Sequence, residues 1–363
     1  MGCSPGAPHH PGGMSETASG NPVLVEVIRG ALVESRHSGA IAVADAGGRL
    51  LLALGDLERP IYPRSAIKAM QALPLIESGA ADAFALNEDE LAVACASHSG
   101  DSVHVEAVRG LLAKAGLDES YLACGAHWPI SEDATRELLR TAQRPRAIHN
   151  NCSGKHAGML ATAVHLGLDP KGYERPDHQV QIMIAGIISE TCGIPLDRSH
   201  MGIDGCSVPT FALPLAALAK GFARLGAGEG LPPERASAAR RLFHACFAEP
   251  VHVAGEGRFD TIVLRALAPS CFTKGGAEGV HCAALPSLGL GIALKIDDGA
   301  KRGAELAISE VIAALLPAAS EALTDQLGGE MLNWRGIAVG RVAPSELLRQ
   351  AVAASPLPTG ERS

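Results

Sequence analysis

A serine and a lysine lie three residues apart at Ser65 and Lys68, in the run PRSAIK. The apolar residues that follow, at helical spacing up to Gly79, predict an amphipathic helix with both side chains on one face. A serine hydroxyl becomes a good nucleophile when a neighbouring base takes its proton, and a neutral lysine is such a base. S-x-x-K is the nucleophile motif of serine β-lactamases and penicillin-binding proteins. The alternative interpretation is a capping serine followed by a solvated lysine.

Four further segments carry polar and small residues where a core helix would not be expected to have them. They are residues 95–101 (CASHSGD), 149–156 (HNNCSGKH), 202–209 (GIDGCSVP) and 272–279 (FTKGGAEG). The last contains Lys274 and lies between two predicted strands, where the S-x-x-K enzymes carry a K-T-G motif. Taken singly, each segment is also explained by helix caps, turns and buried thiols.

Strand patterns lie at both ends of the chain, and helical periodicity dominates the middle from residue 65 to about 247. Strands are predicted at residues 23–29, 39–45, 49–54, 261–267, 281–285 and 290–295. A helix over 300–316 follows. Strands from both ends that share one antiparallel sheet give the α+β class, with helices packed on the sheet. No Gly-rich strand–turn–helix fingerprint indicates a dinucleotide-binding parallel sheet.

These patterns predict one catalytic unit over residues 21–344. Its sheet would come from residues 22–60 and 255–340, and its helical region from 64–250. Residues 1–20, rich in Gly, Pro, Ser and His, predict a disordered extension, which makes Met14 a candidate start. Residues 345–363 predict a polar tail.

Composition excludes several classes of partner. Of the 363 residues, 47% are hydrophobic and 19% charged, which is typical of a globular protein with a sizeable core. Because the formal net charge is −8 and aromatic residues make up only 3%, neither nucleic acid nor an anionic membrane surface is an expected partner.

The nine cysteines are scattered, with no C-x-x-C pair and no dense disulfide framework. The first 20 residues lack the apolar core of a signal peptide, and no apolar run is long enough to cross a membrane. We therefore expect a cytoplasmic protein with mostly buried thiols.

Three strings together resemble the rhizobial-type L-asparaginase family, the zinc-binding, serine-dependent asparaginase II class. They are HNNCSGKH at 149–156, GIDGC at 202–206 and R-S-x-x-K at 64–68. The resemblance runs from about Pro22 to Pro344. It implies a fold similar to glutaminases and serine β-lactamases, a homodimer, and hydrolysis of L-asparagine to L-aspartate and ammonia.

The resemblance also implies catalytic roles. Ser65 would be the nucleophile, or the serine closest to it, with Lys68 as its base. Ser97 would be a second catalytic serine, paired with Lys274. Both lysines would have to be largely neutral near the working pH, which requires burial or nearby positive charge.

A zinc site held by Cys152, Lys155 and Cys206, with water completing the tetrahedron, is implied in the same way. Thiolates are sound zinc ligands, but a lysine must lose its proton to bind, so the residues alone favour His156 as the third ligand. With a serine and a lysine available, an attacking zinc hydroxide is unnecessary, and an organising role is expected. The candidates for substrate binding are Arg64, His98 and Asp204.

Two other functions stay open at the level of sequence. A glutaminase or broader amidohydrolase could use the same residues, because one methylene in a pocket is worth only about 1–3 kcal/mol. A non-catalytic zinc-dependent amino-acid sensor would use the cysteines for metal and the serines only as hydrogen-bonding groups. A β-lactamase or D,D-peptidase is disfavoured, since no S-D-N motif follows the S-x-x-K motif.

Overall fold

The structure, a computed structural model, describes residues 20–317 and 319–356. The predicted disordered extension, apart from Gly20, and residues 357–363 of the predicted tail lie outside this description. The strands are β1 (Val23–Arg29), β2 (Leu32–Asp45), β3 (Leu50–Leu54), β4 (Met201–Ile203), β5 (Pro209–Phe211), β6 (Phe272–Gly275), β7 (Val280–Leu285), β8 (Leu290–Ile296), β9 (Gly329–Leu332) and β10 (Ala338–Pro344).

The helices surround this strand framework and fill the middle of the chain. They are α1 (Lys68–Glu77), α2 (Ala80–Ala83), α3 (Glu88–Ala94), α4 (Ser102–Lys114), α5 (Glu132–Arg140), α6 (Ser153–His165), α7 (Gln179–Cys192), α8 (Leu215–Ala227), α9 (Pro233–Ala248), α10 (Pro250–Val253), α11 (Phe259–Leu267), α12 (Lys301–Leu315), α13 (Ala319–Ala322) and α14 (Glu346–Ala354). None of the helices within the described residues is long and apolar enough to cross a membrane.

Strands from the two ends of the chain share one antiparallel sheet. Within the described residues its order is β6-β7-β8-β2-β1-β10-β9, with β3 also paired to β2. The long strand β2 pairs with β1 and with β8, and β1 pairs in turn with β10. This arrangement confirms the predicted α+β class. Strands β4 and β5 form a separate hairpin in the helical region.

The two faces of the sheet carry side chains of different size. Along β2, Ala40, Ala42 and Ala44 face the core shared with α8 and the middle helices, whereas Ile41 and Val43 face the core shared with α12. Side chains alternate between the two faces of a strand. The small alanines therefore let α8 pack close to one face, whereas the larger Ile41 and Val43 keep α12 farther from the other.

Gly291 on β8 is the tightest point of the α8 approach. A Cβ at this position would meet the backbone of Ala219, Phe222 and Ala223. We expect Gly291→Ala to lower the free energy of unfolding by about 1–3 kcal/mol, because backbone atoms cannot rotate away from the added methyl group. Urea denaturation measures this change.

The matched control is Gly186→Ala in α7, where no atom lies within 4 Å of the added Cβ. Alanine in that helix interior should raise the free energy of unfolding by up to about 1 kcal/mol. Equal stability of the Gly291→Ala variant and the unmodified protein would contradict the packing described here.

Three predicted segments differ from the structure. Residues 261–267, predicted as a strand from their β-branched run, belong to helix α11, whose buried residues recur at helical spacing. Residues 272–275, which lie between two predicted strands and are not themselves included in one, form the edge strand β6. Part of the predicted polar tail is helix α14, and its Leu348 is fully buried in the sheet's second core.

Candidate active site

Lys68 is the first residue of α1 and follows a 3-10 turn over Arg64–Ile67. Its side chain is fully buried. The Nζ atom lies 2.9 Å from Ser97 Oγ and 3.3 Å from the Asn151 carbonyl oxygen, and it also contacts the carbonyl oxygen of Ala96. A neutral amine can donate to the two carbonyls and keep its lone pair for the Ser97 proton.

The environment of Lys68 favours that neutral form. Burial lowers its pKa to about 8, and Lys155 and Lys274 add to the effect, while Cys152 and Cys206 oppose it. Near neutral pH a useful fraction of Lys68 is therefore unprotonated. Such a lysine can take a proton from a serine in its reach.

Ser97 lies on the loop that follows α3 and is held at its backbone from two sides. Its N–H donates to the Val253 carbonyl over 3.0 Å, and its carbonyl accepts from Arg258 Nη1 over 2.5 Å. The residue is 5% exposed, and its remaining surface lines a cavity. The helix before it begins with a reciprocal Asn87 and Glu90 capping box, which fixes the start of α3.

Ser65 lines the same cavity and is half-buried. The preceding residue, Arg64, has a positive φ of 52°. In the 3-10 turn, the Lys68 side chain enters the interior toward Ser97, whereas Ser65 faces the cavity. The sequence-based pairing of Lys68 with Ser65 is thus not the one formed: the lysine hydrogen-bonds to Ser97.

Lys274 also has a partner other than the predicted one. On β6, its Nζ lies 2.9 Å from Asp260 Oδ2 instead of pairing with Ser97, and His281 Nε2 lies 3.1 Å from the other carboxylate oxygen. Burial alone would raise the pKa of Asp260, but Lys274 and His281 outweigh it and hold that pKa far below its usual range. Lys274 and Asp260 thus form a buried ion pair beside the cavity.

The cavity that brings the two serines together has a volume of about 230 Å³. Its wall includes Asn151, the N-terminus of α11 and the loop between β6 and β7. Gly276 in that loop packs against the Ser65 turn, and a Cβ there would meet the Pro63 carbonyl oxygen at 2.6 Å. The loop between β6 and β7 therefore forms one wall of the cavity and packs against the turn that carries Ser65.

A second cluster holds Cys152, Lys155 and Cys206, all nearly fully buried. Lys155 Nζ lies 3.0 Å from Cys206 Sγ. A hydrogen bond from Cys206 lowers the pKa of the Cys152 thiol well below its ordinary range. Burial alone would lower the pKa of Lys155, but the charges of the two sulfurs raise it. Two thiols and an amine suit a borderline or soft cation better than magnesium or calcium.

The residues predicted to bind substrate have different surroundings. Arg64 Nη2 lies 2.8 Å from Asp204 Oδ1, and both side chains retain some exposure. His98 is fully buried, lies 2.9 Å from Ser153 Oγ through Nε2, and stacks on His104 at 5.0 Å between ring centroids. In this position His98 supports the loop that carries Ser97.

Three residues at this site received no role from the sequence: Asn151, Arg258 and Asp260. Asn151 lies in the HNNCSGKH string but gave no signal of its own. Asp260 lies directly before residues 261–267, which the sequence predicts as a strand. A helical reading would place Asp260 beside Val263 and Leu264 on one apolar face, and a carboxylate in that position indicates a buried ion pair.

No curated protein matches this chain. Solved structures with similarity include the LovD6 mutant of simvastatin synthase from Aspergillus terreus, at 14% identity over 71% of this chain and 86% of that one, with TM-score 0.37. A β-lactamase from Mycobacterium bovis has 15% identity, coverage of 79% and 94%, and TM-score 0.34. Mglu has 17% identity, coverage of 73% and 64%, and TM-score 0.33. These TM-scores are too low to carry an argument about this chain.

The comparison with protein families covers nearly the whole chain. The model of the L-asparaginase II family matches residues 25–344, which include the sheet, both serines, both buried lysines and the cysteine cluster. The resemblance predicted from three short strings is therefore confirmed: this chain belongs to the L-asparaginase II family.

Proposed function

We propose that the protein hydrolyses the side-chain amide of L-asparagine to L-aspartate and ammonia. Family membership supports an amidohydrolase, and the observation that carries the proposal is the buried Lys68 amine, 2.9 Å from Ser97 Oγ beside a cavity that Ser65 also lines. A lysine with a pKa near 8 and a serine in contact is the pair that acyl transfer requires.

In the proposed reaction, Ser65 Oγ bonds to the amide carbon as its proton passes to the Ser97–Lys68 pair. The tetrahedral intermediate then breaks its C–N bond, and the nitrogen leaves as ammonia with a proton returned by Lys68. Water attacks the aspartyl ester with Lys68 as its base. The ester C–O bond then breaks, Lys68 returns the proton taken from water to Ser65 Oγ through Ser97, and L-aspartate leaves.

Accessibility supports Ser65 as the attacking group. Ser97 is 5% exposed and has its backbone fixed by Val253 and Arg258, whereas Ser65 is half-buried on the cavity wall. A nucleophile must reach a substrate carbon, while a group that relays a proton needs only its two neighbours.

We further propose that Cys152, Lys155 and Cys206 hold zinc. The donor set fits, because a thiol and an amine from the start of α6 and a second thiol from the β4–β5 loop converge in one buried cluster. When bound, zinc would supply a fixed positive charge that helps to orient an amino-acid substrate. The bond-forming steps are assigned to Ser65, Ser97 and Lys68.

A metal-content measurement tests this site. We expect the purified protein to carry about one zinc per chain, and Cys152→Ser or Cys206→Ser to lose most of it, because a hydroxyl is a poorer zinc ligand than a thiolate. The control is Cys192→Ser, which changes a thiol in the apolar core and should leave the zinc content unchanged. Full zinc content in both cluster variants would contradict the assignment.

Activity itself is tested by ammonia release from L-asparagine and L-glutamine. We expect release from L-asparagine that is lost in Ser65→Ala. Release only from L-glutamine would favour a glutaminase with the same chemistry. Zinc and amino-acid binding with no ammonia from either amide would overturn the proposal in favour of a sensor.

A further inference from the structure

Arg258 differs from the other charged side chains around the cavity. It is half-buried at the N-terminal end of α11, and among the residues that the structure describes no carboxylate pairs with it. Its Nη1 atom donates to the carbonyl oxygens of Ser97, at 2.5 Å, and Ala254, at 3.2 Å. One corner of the guanidinium is thereby fixed on the protein.

Apart from Glu278, which is exposed and forms no ion pair with the residues that the structure describes, the other charged side chains of the cavity wall are neutralised within the protein. Asp260 is paired with Lys274, and Lys301 Nζ lies 3.1 Å from Glu305 Oε1. Arg258 thus contributes a positive charge that is not balanced by an ion pair, in the cavity that holds both serines. A guanidinium in this state favours an anionic ligand, because burial strengthens its attraction for a carboxylate.

We propose that Arg258 binds the α-carboxylate of the amino-acid substrate. This inference rests on the proposed function and deepens it, since it names the part of the substrate that is recognised. With Nη1 fixed on Ser97, the Nε and Nη2 edge is left to match the two oxygens of a carboxylate. The same guanidinium then sets the distance between the carboxylate and the serine loop.

Recognition of this kind selects free amino acids. An asparagine inside a peptide chain has an amide in place of its α-carboxylate and would leave Arg258 unpaired. The cavity of about 230 Å³ is also below the roughly 300–1,000 Å³ of pockets for drug-sized ligands. The charge of Arg258 and the size of the cavity therefore both favour a small, free amino acid as the substrate.

The test compares L-asparagine with 3-aminopropanamide, the same molecule without the α-carboxylate, in the unmodified enzyme and in Arg258→Met. We expect Arg258→Met to lower kcat/KM for L-asparagine by about 10- to 100-fold, the usual worth of a charged hydrogen-bonded contact, mainly through KM. For 3-aminopropanamide the loss should be clearly smaller, because only the support of the Ser97 carbonyl is removed and no carboxylate contact is lost. Arg258→Lys should recover part of the loss, since it keeps the charge.

Arg265→Met is the matched control, because Arg265 lies on the same helix and pairs with Glu256 at the surface. It should leave both substrates unaffected. Equal losses for both substrates in Arg258→Met would overturn the inference and leave Arg258 as a support of the Ser97 loop only.

Calorimetry separates this inference from the proposed function. L-Aspartate should bind the unmodified protein about 10- to 100-fold more tightly than β-alanine, and Arg258→Met should remove the difference. That result with no amide turnover would uphold Arg258 while the proposed function fails. Equal binding of the two ligands by the unmodified protein would overturn the inference.

Discussion

A Lys68→Met variant is expected to lose about 10²- to 10⁴-fold in turnover of L-asparagine while it keeps its fold, because positioned general bases contribute that much. Methionine fills a similar volume but cannot accept the proton that Lys68 takes through its contact with Ser97 Oγ. Steady-state ammonia release measures the effect, with circular dichroism to verify folding.

Lys171→Met serves as the matched control, since Lys171 is exposed and far along the chain from the cavity residues. It should retain full activity and stability. Should folded Lys68→Met turn over L-asparagine at the unmodified rate, the base would have to be another group, and the assignment of Lys68 would be wrong.

The second large effect concerns stability. Asp260→Ala is expected to lower the free energy of unfolding by about 3–5 kcal/mol, because it removes one partner of the buried Lys274–Asp260 ion pair. Asp260 also accepts from the backbone N–H of Gly275 at 3.0 Å and contacts His281, so one substitution breaks several contacts on the edge strand. Urea unfolding followed by fluorescence or circular dichroism gives the value.

Two controls show whether the charge or the packing matters. Removing both partners, with Asp260→Ala and Lys274→Met together, should restore part of the lost stability, since no buried charge is then unpaired. Glu256→Gln breaks the exposed pair with Arg265 and should barely move the urea midpoint. Unchanged stability of Asp260→Ala would show that the pair is not the stabilising contact described here.

Much of the fold could be predicted because its strands alternate or form short apolar runs. The structure has β1 at residues 23–29 as predicted, and β7 and β8 differ from prediction by one residue each. Helix α11 could not be recognised, because a nine-residue, mainly apolar segment with several β-branched residues fits the repeat of a strand as well as that of a helix. Strand β10, which lies between β1 and the edge strand β9, has a weak, half-exposed pattern and gave no signal.

The site was predictable as a set of residues but not as a set of partners. The sequence analysis gave Ser65, Lys68, Ser97 and Lys274 catalytic roles in the same reaction. The structure places the two serines on the wall of one cavity. The partner of each lysine depends on tertiary contacts. The 3-10 turn before α1 directs the Lys68 side chain to Ser97. Helix α11, most of which was predicted as a strand, carries the Asp260 that pairs with Lys274. Spacing along the chain could therefore not reveal either pair.

The most direct test of the central claim is mass spectrometry of the protein quenched during turnover of L-asparagine, followed by peptide mapping. The account predicts an aspartyl ester on Ser65 that is absent in Ser65→Ala, with accumulation lowered in Lys68→Met. An ester on Ser97, or steady ammonia release with no ester on either serine, would contradict the proposed reaction.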